Sequence, residues 1–344
     1  MTEPAALAPA ARRGHRTASP AWSVFAVLVA LPVASLSLFR AIPADWPLLV
    51  VQALAFTPWL VVPAAVALLL ALLGRRRWMV VTTAALLAVQ LFWLFPLDYG
   101  RPVALQDGTA TVPLKVMSIN TEFGEADAAT IVRLVRDNGV QLLALQEFSP
   151  ELQDRLSAEG LDALLAHRIS TPNDDGSGAA VYSVFPLSAE GLLPDTPFRM
   201  AATRVVVEGS GTKAALTLTN VHTLPPVDDR IGQWRSDLLK ISRQAGSQGN
   251  QLLMGDYNAT YDHSEFRALL DQGSAGHKLV DAGTATWGRQ SPTWPMEGPP
   301  LPGVVIDHVV TSPRIGSSGY SVHNVPGTDH AAIMAQLSIP ADQG

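Results

Sequence analysis

Three long apolar stretches in the first hundred residues leave this chain few ways to fold. Trp22–Phe39 carries no charge, Trp46–Leu73 is interrupted only by Gln52 and three prolines, and Trp78–Leu97 follows closely. Each is about long enough to cross a ~30 Å hydrocarbon core as a helix. A water-soluble fold would have to bury all three in succession. Trp22, Trp46, Trp78 and Trp93 stand near the ends of the runs, where interfacial anchors collect. The first run taken alone also resembles a signal peptide, but no clean small-x-small cleavage site follows it. The basic residues set the expected orientation. Arg12, Arg13 and Arg16 precede the first run and Arg75–Arg77 join the second to the third, whereas the loop between the first two holds only Arg40 and Asp45. The positive-inside rule then puts the N-terminus in the cytoplasm and everything after Leu97 outside it.

The expected organisation is a cytoplasmic tail (1–21), a three-helix membrane region (22–97), a linker (98–113) and an extracytoplasmic domain (114–340). The charge divides along the same line. Residues 1–113 hold 8 of the 24 Lys/Arg and 4 of the 30 Asp/Glu, a formal +4, which leaves −10 for the remainder of a chain whose net charge is −6. There are no cysteines, so disulfides and thiolate metal sites are excluded.

Beyond the linker, strands and helices mix. Lys115–Ile119 and Val140–Leu145 read as strands flanking an amphipathic helix, Asp127–Asn138, closed by Gly139. Ser149-Pro150 is the N-cap and first residue of another helix. Ala179–Val184 is a strand, and Thr203–Val207 and Ala214–Val221 form a hairpin around Gly209-Ser-Gly211. Asp229–Gln244 is the longest helix, and Gln251–Met254, Val304–Val310 and Ile333–Ile339 are late strands. Consecutive strand pairs mixed with helices point to an α+β sandwich.

Polar residues gather where these strands end. Asn120 closes the first, Glu147 follows the second, His222 ends the hairpin, and Asp256 and Asn258 end the apolar run Gln251–Met254. Asp307 and His308 interrupt an apolar strand, and Asp329-His330 precedes the last one. Singly, each has an ordinary explanation, such as an Asx turn at Asp256–Asn258. Burying an aspartate without a partner costs several kcal/mol, however, so a buried one is paired or functional.

In order and spacing, Asn120, Leu145-Gln-Glu147, His222, Gly255-Asp-Tyr-Asn-Ala259, Ile306-Asp-His308 and Thr328-Asp-His330 resemble the endonuclease/exonuclease/phosphatase superfamily. The likeness covers nearly all of residues 114–339, including Gly178–Ser183 and Pro292-Thr-Trp294. It implies a four-layer α/β/β/α sandwich, here preceded by three transmembrane helices. It also implies a metal-dependent hydrolase of phosphate esters, because an anionic ester repels its nucleophile until a cation neutralises it. The resemblance gives Glu147 to Mg2+ or Mn2+, with Asn120 and Asp329 completing or orienting the shell. Asp256 positions and deprotonates water, and Asn258 and His222 contact phosphoryl oxygens, as Asn120 can. His330 is oriented by Asp307. The base is either Asp256 or the His330–Asp307 pair. Tyr257 replaces a usual Phe, Thr328 a usual Ser, and Ala331-Ala332 lacks a common proline; no reactive group is lost.

Three spans followed by an outward domain are most similar to the membrane-anchored bacterial members of the glycopeptide- and teicoplanin-resistance type. An acidic domain offers no general attraction for a polyanion. The expected substrate is therefore a lipid-linked phosphate or pyrophosphate. An extracellular nuclease acting on DNA or RNA is the alternative, and a non-catalytic binding or sensor domain is the reading from a different class.

Overall fold

The computed structural model describes residues 20–96, 102, 105, 108–209, 211–246, 249–273, 276–285, 288–298 and 302–341. Most of the 1–21 tail, with Arg12, Arg13 and Arg16, and half of the 98–113 linker lie outside the described residues. The chain divides into two compact units, Met1–Ser35 with Leu60–Trp93, and Leu36–Trp59 with Leu94–Gly344.

Among the described residues, three helices are long and apolar enough to cross a membrane: Pro20–Ala41, Thr57–Gly74 and Arg77–Leu94. In the first unit Ala26, Ala71 and Met79 bury one another. A Cβ added at Gly74 would lie 3.0 Å from Ser23 Oγ, so the helices approach through small residues, as membrane helices do. The second apolar run differs from expectation. It breaks into a helix, Leu48–Leu54, and the candidate span beginning at Thr57. Pro58 causes the break, because a residue before proline is pushed away from helical geometry and proline donates no N–H.

Among the described residues the second unit carries twelve strands. They are β1 (Thr111–Asn120), β2 (Leu142–Gln146), β3 (His167–Thr171), β4 (Ala179–Ser183), β5 (Leu187–Leu192) and β6 (Ala201–Gly209), then β7 (Thr212–His222), β8 (Asn250–Asp256), β9 (Val280–Asp281), β10 (Asp307–Thr311), β11 (Gly316–His323) and β12 (Ala332–Pro340). The first sheet runs β11-β12-β1-β2-β4-β3 and the second β5-β6-β7-β8-β10-β9. One apolar cluster, with Val116, Leu142, Leu218 and Met254, fills the space between the sheets. A second lies under Ala128–Asn138 and Pro150–Ala158 on the outer face of the first sheet. A third lies under Ile231–Ala245 and Ser264–Leu270 on the second. Three apolar layers require four structural ones, which is the expected sandwich.

Local signals place the outer helices. Asp127 accepts the Thr130 N–H as N-cap and Gly139 closes that helix in the left-handed region. Ser149 accepts the Leu152 N–H, with Pro150 following. β1 opens at Thr111, four residues before the expected Lys115. The strand expected at Val304–Val310 pairs regularly only from Asp307, Val304 making an isolated bridge to Trp294.

The topology aligns the strand ends. β1 and β2 are parallel, with Asn120 opposite Gln146, and β7 and β8 are parallel, with His222 opposite Asp256. β10 enters antiparallel beside β8 and sets Asp307 opposite Asp256. A buried polar bridge joins the sheets beneath these ends. Gln146 Nε2 donates to Asn220 Oδ1 at 2.6 Å, and Asn220 Nδ2 donates to the Leu145 carbonyl at 3.0 Å.

Candidate active site

Both sheets deliver side chains to one cleft. From the first, Asn120 donates its Nδ2 to Glu147 Oε1 at 3.0 Å and to Asp256 Oδ2 of the second at 3.2 Å. Its Oδ1 accepts the Glu122 N–H at 3.1 Å, so in this arrangement Asn120 orients the carboxylates from the side of its nitrogen. The other Glu147 oxygen accepts the Phe123 N–H at 2.9 Å.

Asp256 is the best-held acid of the group. Its Oδ1 accepts the Asn258 N–H at 2.7 Å, and its Oδ2 accepts Asn258 Nδ2 at 3.1 Å. Asn258 reaches back from the turn after β8, where its φ is +46°. Its Nδ2 also donates to the Thr223 carbonyl at 2.9 Å, tying the β8 end to the β7 end. His222 Nε2 lies 3.6 Å from Glu147 Oε1 and 3.9 Å from Asp256 Oδ2, with its ring stacked on Phe198 at 3.9 Å.

His330 and Asp307 meet across the two sheets. His330 Nδ1 is 3.0 and 3.2 Å from the two Asp307 oxygens, and Nε2 faces Asp256 Oδ2 at 3.8 Å. Asp329 lies beside them, its Oδ1 3.7 Å from His330 Nε2 and its Oδ2 accepting the Trp294 indole at 2.7 Å. The structure thus brings together Asn120, Glu147, His222, Asp256, Asn258, Asp307, Asp329 and His330. His308 turns the other way, towards Asp281 at 3.3 Å and the Ala259 carbonyl at 2.9 Å.

The electrostatics are those of a cleft short of positive charge. Burial, together with the charge of Asp307 and against that of His330, pushes Asp256 up to about 7. Burial opposes a charge on His330, but Asp307 and Asp256 outweigh it and push the imidazole up to about 10. Burial, followed by the charge of His330, holds His222 down to about 3. Among the described residues, no Lys or Arg forms an ion pair with Glu147, Asp256, Asp307 or Asp329. Clustered carboxylates whose cationic partners among the described residues are imidazoles fit a hard divalent cation, which takes carboxylate oxygens. Asp256, Asp307 and His330 also present ligand atoms within 4.8 Å of one another. The close Nδ1 contacts to Asp307 make that trio a hydrogen-bonded dyad facing Asp256, and leave Glu147 as the half-open carboxylate.

Backbone strain collects here as well. Four of the seven described non-glycine residues with positive φ are Glu122, Phe123, Glu147 and Asn258. Such geometry costs roughly 1–3 kcal/mol each and persists where the surroundings impose it. Glu122 was not singled out by the sequence; its Oε2 accepts the Asp329 N–H at 2.6 Å, and burial raises its carboxyl. Phe198 and Asp281 join the site or its support only through tertiary contacts, so spacing alone could not flag their roles, whereas Trp294 lies in the Pro292-Thr-Trp294 stretch that the resemblance already covered.

The sequence pattern of the Endonuclease/Exonuclease/phosphatase family matches residues 117–330. Among solved structures, TDP2 of D. rerio complexed with a single strand DNA product is similar with a TM-score of 0.51 at 12% identity, over 65% of this chain and 98% of that one. A humanized D. rerio TDP2 with 14 mutations gives 0.50 at 14% identity over the same shares. Sphingomyelinase C from Streptomyces griseocarneus gives 0.44 at 19% identity, over 66% of this chain and 99% of that one. A comparison with curated proteins finds no match. The two TDP2 structures share the fold, and the matched pattern runs through every strand end described above: the chain belongs to the endonuclease/exonuclease/phosphatase family, metal-dependent enzymes that hydrolyse phosphate ester bonds.

Proposed function

We propose that the chain is a membrane-anchored phosphoesterase, dependent on Mg2+ or Mn2+, that cleaves a lipid-linked phosphate or pyrophosphate outside the cytoplasm. The observation that carries this is the convergence of Glu147, Asp256 and the Asp307–His330 pair in a cleft where, among the described residues, they have no Lys or Arg partner. Bound there through Glu147, with Asn120 and Asp329 as flanking groups, the cation supplies charge neutralisation for the phosphoryl oxygens. Asp256, fixed by Asn258 and Asn120, holds a water and accepts its proton at a carboxylate oxygen. His330, kept cationic by Asp307, offers Nε2 to a phosphoryl oxygen at the mouth of the gap towards Asp256. His222 and Asn258 line the same gap and orient the ester.

The three apolar helices and the Arg75–Arg77 turn support the topology, and the −10 charge after residue 113 supports a lipid over a polyanion. One observation favours the nuclease alternative. Phe123, 57% exposed beside Glu147, offers a face on which a base can stack. The purified full chain, assayed with Mg2+ and Mn2+ on prenyl and glycerolipid phosphates against single- and double-stranded DNA and RNA, separates the two. Turnover of nucleic acid alone refutes the lipid reading. Binding without turnover of any ester, at saturating metal, favours the non-catalytic domain.

A further inference from the structure

The loop between the first two apolar helices is bonded to the loops that carry half of the catalytic centre. Within the helix Leu48–Leu54, the neighbours Val51 and Gln52 reach in two directions. Gln52 Nε2 donates to the Pro226 carbonyl at 3.1 Å, four residues past His222. The Val51 carbonyl meets His263 Nε2 at 2.9 Å, while His263 Nδ1 accepts the Thr260 N–H at 2.8 Å, two residues past Asn258. These two bonds fix the tautomer, with the proton on Nε2, so that Val51 holds the ring that holds the Asn258–Thr260 turn. Trp59 Nε1, in the first turn of the candidate span Thr57–Gly74, donates to the Gly303 carbonyl at 2.8 Å, four residues before Asp307. At the other end, Arg40 Nε binds Asp262 Oδ1 at 2.6 Å, a buried carboxylate whose second oxygen accepts Arg289 Nη2 at 2.6 Å.

These contacts fall on the loops after β7 and β8 and before β10, the three that position His222, Asp256 with Asn258, and Asp307. The loops are bonded to one another on the inner side, where Thr223 Oγ1 donates to the Tyr257 carbonyl at 2.6 Å and Thr223 N to the Asp256 carbonyl at 3.1 Å. The segment closes the outer side. A centre whose groups stand within 4 Å of one another loses rate when one of them shifts by ~1 Å.

We infer that the segment Arg40–Trp59 is a positioning element of the catalytic centre: docked, it clamps the loops bearing its second-sheet residues. Turnover thereby depends on the anchored form of the chain, because Arg40 closes one apolar helix and Trp59 opens the next. The inference rests on the phosphoesterase reading for its kinetic test, but not for its structural one.

The full chain in detergent micelles, with Gln52→Ala, Trp59→Phe and the two combined, tests it. Each change deletes one donor outside the centre. Metal-dependent turnover of bis(p-nitrophenyl) phosphate is measured together with hydrogen exchange and thermal midpoints. The double variant is expected to lose about tenfold in kcat with KM held within about twofold. Peptides covering 223–230 and 302–306 are expected to exchange about fivefold faster or more, with the midpoint little changed. Unchanged exchange in those peptides, or kcat within about twofold of the parent, overturns the clamp. So does a kcat loss that merely tracks a falling midpoint and a rising KM. If the parent hydrolyses no phosphate ester, the phosphoesterase reading falls and the exchange result alone decides the clamp.

Discussion

Replacing Asp307 by Asn removes one charge and keeps the volume and a hydrogen-bonding group. His330 Nδ1 lies 3.0 Å from the nearer Asp307 oxygen, and the two side chains are only 8% and 1% exposed. Removing one partner from a buried pair costs about 3–5 kcal/mol. If that cost falls on the transition state, turnover drops by about 10²- to 10⁴-fold, at ~1.4 kcal/mol per decade. His330→Ala removes the same unit and should cost about as much. The double variant then loses no more than either single, whereas independent contributions would multiply to about 10⁴–10⁸. The pH dependence carries a sign. His330 has a folded value raised from 6.5 to about 10, so its contribution to stability is complete below 6.5 and is lost as pH rises through about 10. Asp307→Asn lowers the upper edge of that window, so the alkaline limbs of both the thermal midpoint and kcat move to lower pH. The assay is a double-mutant cycle on kcat across pH, with melting recorded in parallel. Additive losses in folded protein, or an alkaline limb that stays in place, refute the pair as the acting unit.

Three further outcomes are expected. Glu147→Gln keeps shape but discards the half-open anionic ligand, so turnover should fall at least about 10²-fold and recover in part only at higher metal; full parental activity in excess chelator refutes the metal assignment. Gly255→Ala puts a Cβ 2.0 Å from the Val221 carbonyl at φ +144°, immediately before Asp256, and should cost several kcal/mol, on the order of 3 or more, in a melting measurement. A reporter fused after Gly344 should be active only outside the cytoplasm; a cytoplasmic signal overturns the topology.

Much of this molecule was legible in the sequence because its signals are local. The Asp127 cap with Gly139, Ser149-Pro150 and the Gly209–Gly211 hairpin connection each act within a few residues, so the elements around them stand where expected. Strands β3, β5 and β11 were not legible, because they are edge or near-edge strands with mixed exposure and no apolar alternation of their own. The second apolar run was read as one span since composition does not register where an apolar helix breaks off. Val51 within it instead packs into the core under Ile231–Ala245.

The sequence by itself determined which chemical groups are available and their order: carboxylates, amides and imidazoles at the ends of apolar strands, behind three runs long and apolar enough to cross a membrane. Tertiary structure decided their partners. The adjacent Asp307 and His308 read as one charged feature, yet alternation along β10 sends them to opposite faces, one to His330 and the other to Asp281. It also decided their protonation. Asp256 rises to about 7 and His222 falls to about 3 chiefly through burial, and desolvation is a property of what surrounds a group rather than of its neighbours in the chain.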